Sequence, residues 1–407
     1  MASPIQTALT RIDVLGGVSD SPDYLVRTFL SPANRRAAGL VMEWMREAGL
    51  SASHSVDGTV RGILPGSNPD ARPLLLGSHL DSVIDAGKYD GPLGIISAIA
   101  ALELLKTEGF VLPYPVHILG FSDEEGIRFQ TTYLGSRGIM GRLDSATLSR
   151  TDRQGSSLAF TLATEGWNDD ADDIHYEPGS VRGYVELHIE QGPVLEHAGE
   201  PACVVSSIAG QSRIHVEITG RAGHAGTTPM TLRQDALAAA AECVLATEAI
   251  ARENTPLVAT VGSFDIHPGA SNSVPGTARF SIDLRHPEDA PRAAHLSSLR
   301  ETCERIAAER GLALTWTLVQ ENDAVPCDPF LSGRLVSSLE SLTGSSRSIP
   351  SGAGHDGVAL SRIAPIGMLF IRCRGGLSHH PDEHVSPEDV ATGIEVLAHF
   401  LKTLPSP

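Results

Sequence analysis

The sequence predicts an α/β protein: a main domain with a mostly parallel sheet flanked by helices, interrupted by an inserted ferredoxin-like α+β domain. Three observations lead there. At 407 residues the chain is longer than one hydrophobic core usually serves, because single cores stop growing near ~250–300 residues. Over 73–130 an apolar run, a long helix-like stretch and a second apolar run alternate, as PLLLGSHLD, GPLGIISAIAALELLKTEG and YPVHILGFSDEE. From about 210 to 325 the order changes to strand, helix, strand, strand, helix, strand.

The alternation over 73–130 marks a βαβ unit in a parallel sheet, and the unbroken apolar runs suit strands covered on both faces. GYVELHIEQG adds a further strand, APIGMLFIRCR another near the C-terminus, and PEDVATGIEVLAHFLKTL a closing helix with Ser386 as its N-cap. GWNDDADD, at 166–173, reads as a surface loop. In the middle, SRIHVEITG, TLRQDALAAAAECVLATEAIARE, LVATVGSFDI, GTARFSIDLR, EDAPRAAHLSSLRETCERIAAERG and LALTWTLVQ spell βαββαβ. The main domain is therefore expected over 1–209 and 326–407, and the inserted domain over 210–325.

A formal charge of -18 argues against nucleic acid and anionic membrane surfaces as partners. No stretch is apolar for the ~18 residues a membrane span needs, and the N-terminus has no basic run followed by an apolar core. A cytoplasmic location is the default expectation. The 5 cysteines are scattered and form no C-x-x-C pair, so they read as reduced packing residues.

The polar residues gather where predicted strands end, the place where open α/β sheets assemble their sites. SHLDS delivers His79 and Asp81, and a carboxylate so placed can take the second ring N–H of the histidine and orient it. H-x-D is also common by chance. Asp90 in KYDGPLG precedes a helix starting near Pro92, where a plain N-cap is the alternative. The second strand ends in SDEEG, placing Glu124 and Glu125 over the sheet edge. Amide hydrolysis needs a polarised carbonyl, a nucleophilic water and a proton shuttle. Two metals about 3.5 to 4 Å apart bridged by a carboxylate meet the first two needs, and a carboxylate that is not a ligand meets the third.

The series SHLDSV, KYDGPLGI, SDEEGIRF, ELHIEQGP, GRAGHAGTTPM, SNSVPG, SIDLRHP, SGAGHDG and GLSHHPDE, in order over about 77–385, resembles the amidase, hydantoinase and carbamoylase branch of the M20 metallopeptidase family. The resemblance implies a zinc-exopeptidase-like main domain and an inserted domain that serves as lid and dimerisation surface. It implies two divalent metal ions per subunit, Zn²⁺ or Mn²⁺, with Co²⁺ or Ni²⁺ as further candidates. His79, the bridging Asp90 and His188 would hold one; Asp90, Glu125 and His379 the other. Glu124 would be general base and later proton donor, and Asp81 would support His79. His188, in ELHIEQGP, departs from the carboxylate typical of the peptidases and points to the ureido-hydrolysing branch.

In GLSHHPDEHV the resemblance selects His379 as ligand, leaves His380 at a variable position and gives His384 a structural role. His224 in GRAGHAGTTPM would stabilise the carbonyl oxygen in the transition state, often from the partner subunit. Arg285 would grip a substrate carboxylate, against an alternative ion pair with Asp283 or Glu288. Gln191 and Asn272 would add hydrogen bonds. His355, beside Asp356, would bind substrate or cap a loop. Arg372 and Arg374, flanking Cys373, are either a sign of allantoate as substrate or simply basic residues at a strand end. The implied partners are a small anionic ureido acid and a second copy of the chain. The implied reaction is cleavage of an N-carbamoyl amino acid to ammonia, carbon dioxide and the amino acid, with allantoate, N-carbamoyl-β-alanine, ureidoglycolate or a dipeptide as alternatives.

Overall fold

A computed structural model describes residues 2–406. The chain forms two compact units: Met1–Ser206 with Cys327–Ile349 and Ala353–Pro407, and Ser207–Pro326 with Pro350–Gly352. The second is bounded a few residues outside the expected 210–325 and also takes in a short return segment near residue 350.

In the first unit, strands Leu74–His79 and Val116–Phe121 pair in parallel, and Leu74–His79 also pairs in parallel with Gly183–Ile189, which does the same with Ile366–Ile371. These carry the predicted apolar runs. Every residue of Leu74–His79, Gly183–Ile189 and Ile366–Ile371 is buried, as strands covered on both faces must be. Antiparallel strands that the sequence reading did not include complete the edges. Val60–Leu64 joins Val116–Phe121 and carries Ser51–His54 on its far side, while Ala202–Ile208 joins Ile366–Ile371.

Helix Pro92–Thr107 begins at the expected proline and is buried along nearly its whole length. That accounts for its lack of a polar stripe: a helix apolar all round belongs inside. Ile95, Ile96 and Ile99 meet Leu74, Leu76, Val116, Ile118 and Leu187 in the main core, which Ile394, Leu397 and Leu401 of the closing helix Pro387–Thr403 also enter. Ser386 caps that helix by accepting the N–H of Asp389. Two N-terminal helices, Pro4–Gly16 and Pro32–Ala48, open the unit, each with a serine N-cap followed by proline.

In the second unit, strands Gly210–Thr219, Thr277–His286 and Ala313–Asn322 form the body of an antiparallel sheet. The expected single strand LVATVGSFDI is two short ones, Val258–Thr260 and Phe264–His267, both paired with Thr277–His286. Gly262 and Ser263 lie between them; Ser263 N–H turns to the Ser281 hydroxyl, which breaks the ladder. The strand order is that of the ferredoxin-like βαββαβ arrangement. Helices Ala236–Glu253 and Asp289–Glu309 pack Ala239, Cys243, Leu299 and Cys303 against Ile214, Val216, Phe280 and Ile282. The first begins later than the sequence suggests, because Asp235 caps it through the Ala238 N–H. All 5 cysteines are buried and free. Among the described residues no helix is long and apolar enough to cross a membrane.

Candidate metal centre

Residues from distant parts of the first unit converge on Asp90. His79 stands at the last position of strand Leu74–His79, His188 near the end of Gly183–Ile189, and Glu124 and Glu125 just beyond Val116–Phe121. Ligand atoms of His79, Asp90 and His188 lie within 4.8 Å of one another, as do those of Asp90, Glu125 and His379, and those of His79, Glu124 and Glu125. The two oxygens of Asp90 face different partners. Oδ1 is 3.1 Å from His188 Nε2 and 3.6 Å from His79 Nε2; Oδ2 is 3.3 Å from His379 Nε2, which is also 3.3 Å from Glu125 Oε1. One carboxylate is shared between two half-sites.

The N-cap alternative for Asp90 fails: the cap position is Gly91, and no side chain caps that helix. Instead Asp90 Oδ1 and His188 Nε2 are both buried without a hydrogen bond. Buried polar atoms are rarely left so; here the two lie 3.1 Å apart as an ion pair that lacks hydrogen-bond geometry, an arrangement compatible with both being ligands of one ion. The ring orientations agree. His188 Nδ1 is engaged by Ile189 O at 3.0 Å and His79 Nδ1 by Asp81 O at 3.1 Å, which turns both Nε2 atoms inward.

Charge completes the test. Burial works against the His79 and His188 cations, yet Asp81 and Asp90 raise His79 well above its usual range, and Asp90 raises His188. Asp90 and Glu125 push His379 up to about 10. Burial opposes the Asp90 charge, but His188, His379 and His79 hold it well below the usual carboxylate range. A donor set that draws positive charge this strongly fits divalent cations. Glu124 goes the other way: burial first, and the Glu125 charge second, raise it well above an ordinary glutamate.

Several side chains sit differently from expectation. The Asp81 carboxylate is 3.4 Å from His79 Nδ1, but it accepts the backbone N–H groups of Glu124 at 2.9 Å and Glu125 at 3.2 Å. The histidine is held by the Asp81 backbone carbonyl with the carboxylate close by, and that carboxylate also organises the two glutamates. Gln191 gives its amide N–H groups to Asp90 Oδ2 and Ser378 Oγ, at 3.0 and 3.1 Å. His355 is buried edge-to-face against His188, ring centroids 4.6 Å apart. Asp356 accepts from the Ser136 hydroxyl. Arg372 forms a bidentate pair with Asp389 of the closing helix, 2.9 Å in each arm, while Arg374 is exposed. The Asp389 pair is reason enough for Arg372. His380 is exposed, its Nδ1 accepting the Asp382 N–H, and His384 meets the Tyr89 ring edge-on at 6.2 Å.

In the second unit, His224 and Asn272 are neighbours. His224 pairs with Ser273 across a two-residue ladder, and Ala225 N–H donates to Asn272 O at 2.9 Å. Both side chains are exposed. Arg285 is bound within its own strand: it donates Nε to Asp283 Oδ1 at 2.8 Å, Nη2 to Asp283 Oδ2 at 3.0 Å, and Nη1 to Gly352 O. Burial opposes the Asp283 charge, but Arg285, Arg213 and Gln211 hold it below its ordinary range. The ion-pair alternative to carboxylate binding therefore exists in the structure.

Three residues about the centre escaped the sequence reading. Arg27 is almost fully buried and donates Nε to Leu80 O, bracing the loop after His79. Glu186 lies wholly buried two positions before His188, taking the Ser78 hydroxyl at 2.9 Å. Glu383 accepts backbone N–H groups next to Asp90. Glu186 and Glu383 stand inside quoted motifs, but nothing in their spacing indicates what they touch.

Residues 75–403 match the profile of Peptidase family M20/M25/M40. The chain belongs to that family. This M20 chain is 44% identical to an allantoate deiminase of Arabidopsis thaliana, over 97% of its own length and 82% of the relative's. It is 40% identical to an N-carbamoyl-L-amino acid amidohydrolase of Geobacillus stearothermophilus, over 96% of each chain. It superposes on an amidase of the hydantoinase/carbamoylase family from Burkholderia multivorans with a TM-score of 0.90 and 31% identity, covering 98% of this chain and 97% of that one. The M20 chain is accordingly a hydrolase acting on non-peptide C–N bonds, and metal dependence comes with its family.

Proposed function

We propose that the protein is a dinuclear metal-dependent amidohydrolase that hydrolyses the ureido C–N bond of a small N-carbamoyl amino acid with one water, releasing the amino acid and a carbamate that decomposes to ammonia and carbon dioxide. The observation that carries this reading is the division of Asp90, one oxygen toward His79 and His188 and the other toward His379. His79, Asp90 and His188 would hold one ion, and Asp90, Glu125 and His379 the second, Zn²⁺ or Mn²⁺ suiting such a nitrogen and oxygen set. The chemistry such a pair supplies when bound is polarisation of the scissile carbonyl and acidification of water.

The chain's own residues supply the rest. Glu124 takes the proton of the attacking water and returns it to the leaving nitrogen; its raised affinity for protons suits both halves of that task. Asp81 fixes the backbone that presents Glu124. To His224 we assign stabilisation of the carbonyl oxygen, and to Arg285, with Asn272, the grip on the substrate carboxylate. A protein of charge -18 repels an anion at long range, so capture depends on local cations. Homodimerisation through the inserted unit is supported by Phe264, Ile266, Leu318 and Val319, apolar side chains exposed on its sheet; sedimentation equilibrium decides it.

The 44% identity to an allantoate deiminase favours allantoate as a second reading. An ammonia-release screen of the Mn²⁺- and Zn²⁺-loaded protein separates the two, across N-carbamoyl-L- and D-amino acids, N-carbamoyl-β-alanine, allantoate and ureidoglycolate. Highest kcat/KM on an N-carbamoyl amino acid supports the first reading and highest on allantoate the second. Activity confined to dipeptides would overturn both.

A further inference from the structure

Asp90 is held in place by a carboxylate from the other end of the chain. Glu383, 5% exposed, accepts the backbone N–H of Tyr89 at 2.8 Å and of Asp90 at 3.1 Å through Oε1. Its Oε2 lies 3.3 Å from Ser378 Oγ, which is 2.7 Å from Asp90 Oδ2. The Asp90 loop is thus held by its backbone, and the Asp90 carboxylate by Ser378 beside the same glutamate. Backbone N–H groups this deep must find an acceptor, and at Tyr89 and Asp90 it is Glu383.

Packing is tight where Glu383 meets Gly87. A Cβ on Gly87 would come within 2.3–2.4 Å of Glu383 Cβ, Cδ and Oε1, so a glycine leaves the volume that the glutamate fills. Glu383 also belongs to the loop that carries His379, its own N–H bonding His380 O at 3.0 Å. His379 has φ +56°, a left-handed conformation that a residue with a side chain keeps only when its surroundings hold it.

We propose that Glu383 is a positioning residue of the metal centre. It ties the Asp90 loop to the His379 loop, and so sets the spacing between two ligands drawn from segments far apart in sequence. This rests on the reading of Asp90 as the bridge. Groups that orient a ligand without touching the metal typically govern affinity or activity by about 10–100-fold.

The test compares wild type with Glu383→Ala, Glu383→Asp, Glu383→Gln and Gly87→Ala, each loaded with Mn²⁺ or Zn²⁺ and dialysed against graded chelator. Retained metal, thermal unfolding of the metal-free form, kcat and KM are measured. Glu383→Ala and the shorter Glu383→Asp are expected to lose one metal equivalent about 10–100-fold more readily. Their kcat should fall with KM unchanged, and excess metal should restore it. Glu383→Gln keeps a carbonyl for both N–H groups and turns an N–H toward Ser378 Oγ, whose hydroxyl can still donate to Asp90 Oδ2, and should retain metal close to wild type. Gly87→Ala, which displaces Glu383 without altering it, should reproduce the alanine variant and serves in its place if that variant does not fold. Wild-type metal retention in Glu383→Ala and Gly87→Ala, or a glutamine variant as weak as alanine, would overturn the proposal while leaving the dinuclear reading intact. A wild-type protein that holds fewer than two equivalents overturns the dinuclear reading, and the proposal with it.

Discussion

The two compact units treat their polar residues in opposite ways. In the first, Asp90, His188 and Glu124 are buried, Asp90 Oδ1 and His188 Nε2 make no hydrogen bond, and proton affinities are pulled far from ordinary values. In the second, His224 and Asn272 are exposed and Arg285 is satisfied by Asp283 and Gly352. Burying polar groups without partners costs free energy, about 1–3 kcal/mol for each neutral group. A fold that keeps several together is shaped for something that binds among them. A half-buried arginine already paired needs no ligand to explain it, and any carboxylate offered to it would compete with Asp283. The contrast separates a buried, strongly polarised cluster from polar residues that face solvent or are already paired.

The contrast can be broken or sharpened by substitution. Glu124→Gln is expected to have the largest effect: kcat falls about 10²–10⁴-fold with the metal content of wild type, measured by ammonia release and elemental analysis. Normal turnover would remove Glu124 as the base. His379→Ala should lose one metal equivalent and at least about 10-fold in activity, while His380→Ala and His384→Ala keep both. The reverse pattern would move the second half-site to another histidine. Arg285→Ala should leave kcat and metal content near wild type and raise KM for anionic substrates about 10-fold, the scale of one charge-assisted hydrogen bond. An unchanged KM would assign Arg285 wholly to its pair with Asp283, and a collapse of kcat would erase the distinction between the units.

Much of this was legible one strand at a time. The helix at Pro92 and the closing helix after Ser386 follow from local signals, a proline suited to a first turn and a serine cap. The strands Ser51–His54 and Val60–Leu64 are short, only partly buried and weakly patterned, so periodicity passes over them. The split at Gly262 is invisible to it as well, because the hydroxyl that draws off the Ser263 N–H stands on Ser281, far along the chain.

What the sequence by itself determined is the chemical inventory and its order: His79, Glu124, Glu125 and His188 at or just past strand ends, Asp90 before the helix at Pro92, and His379 in the loop before the closing helix. Tertiary structure alone decided how these residues divide their bonds. The Asp81 carboxylate holds Glu124 and Glu125 while also facing the His79 ring, Arg372 is engaged by Asp389, Gln191 by Asp90, and Glu383 reaches back to the loop of Asp90. The reason is range. Propensity and periodicity act over a few neighbouring residues, whereas hydrogen bonds between loops depend on where folding brings distant segments, and a buried carboxylate takes whichever donors arrive within reach.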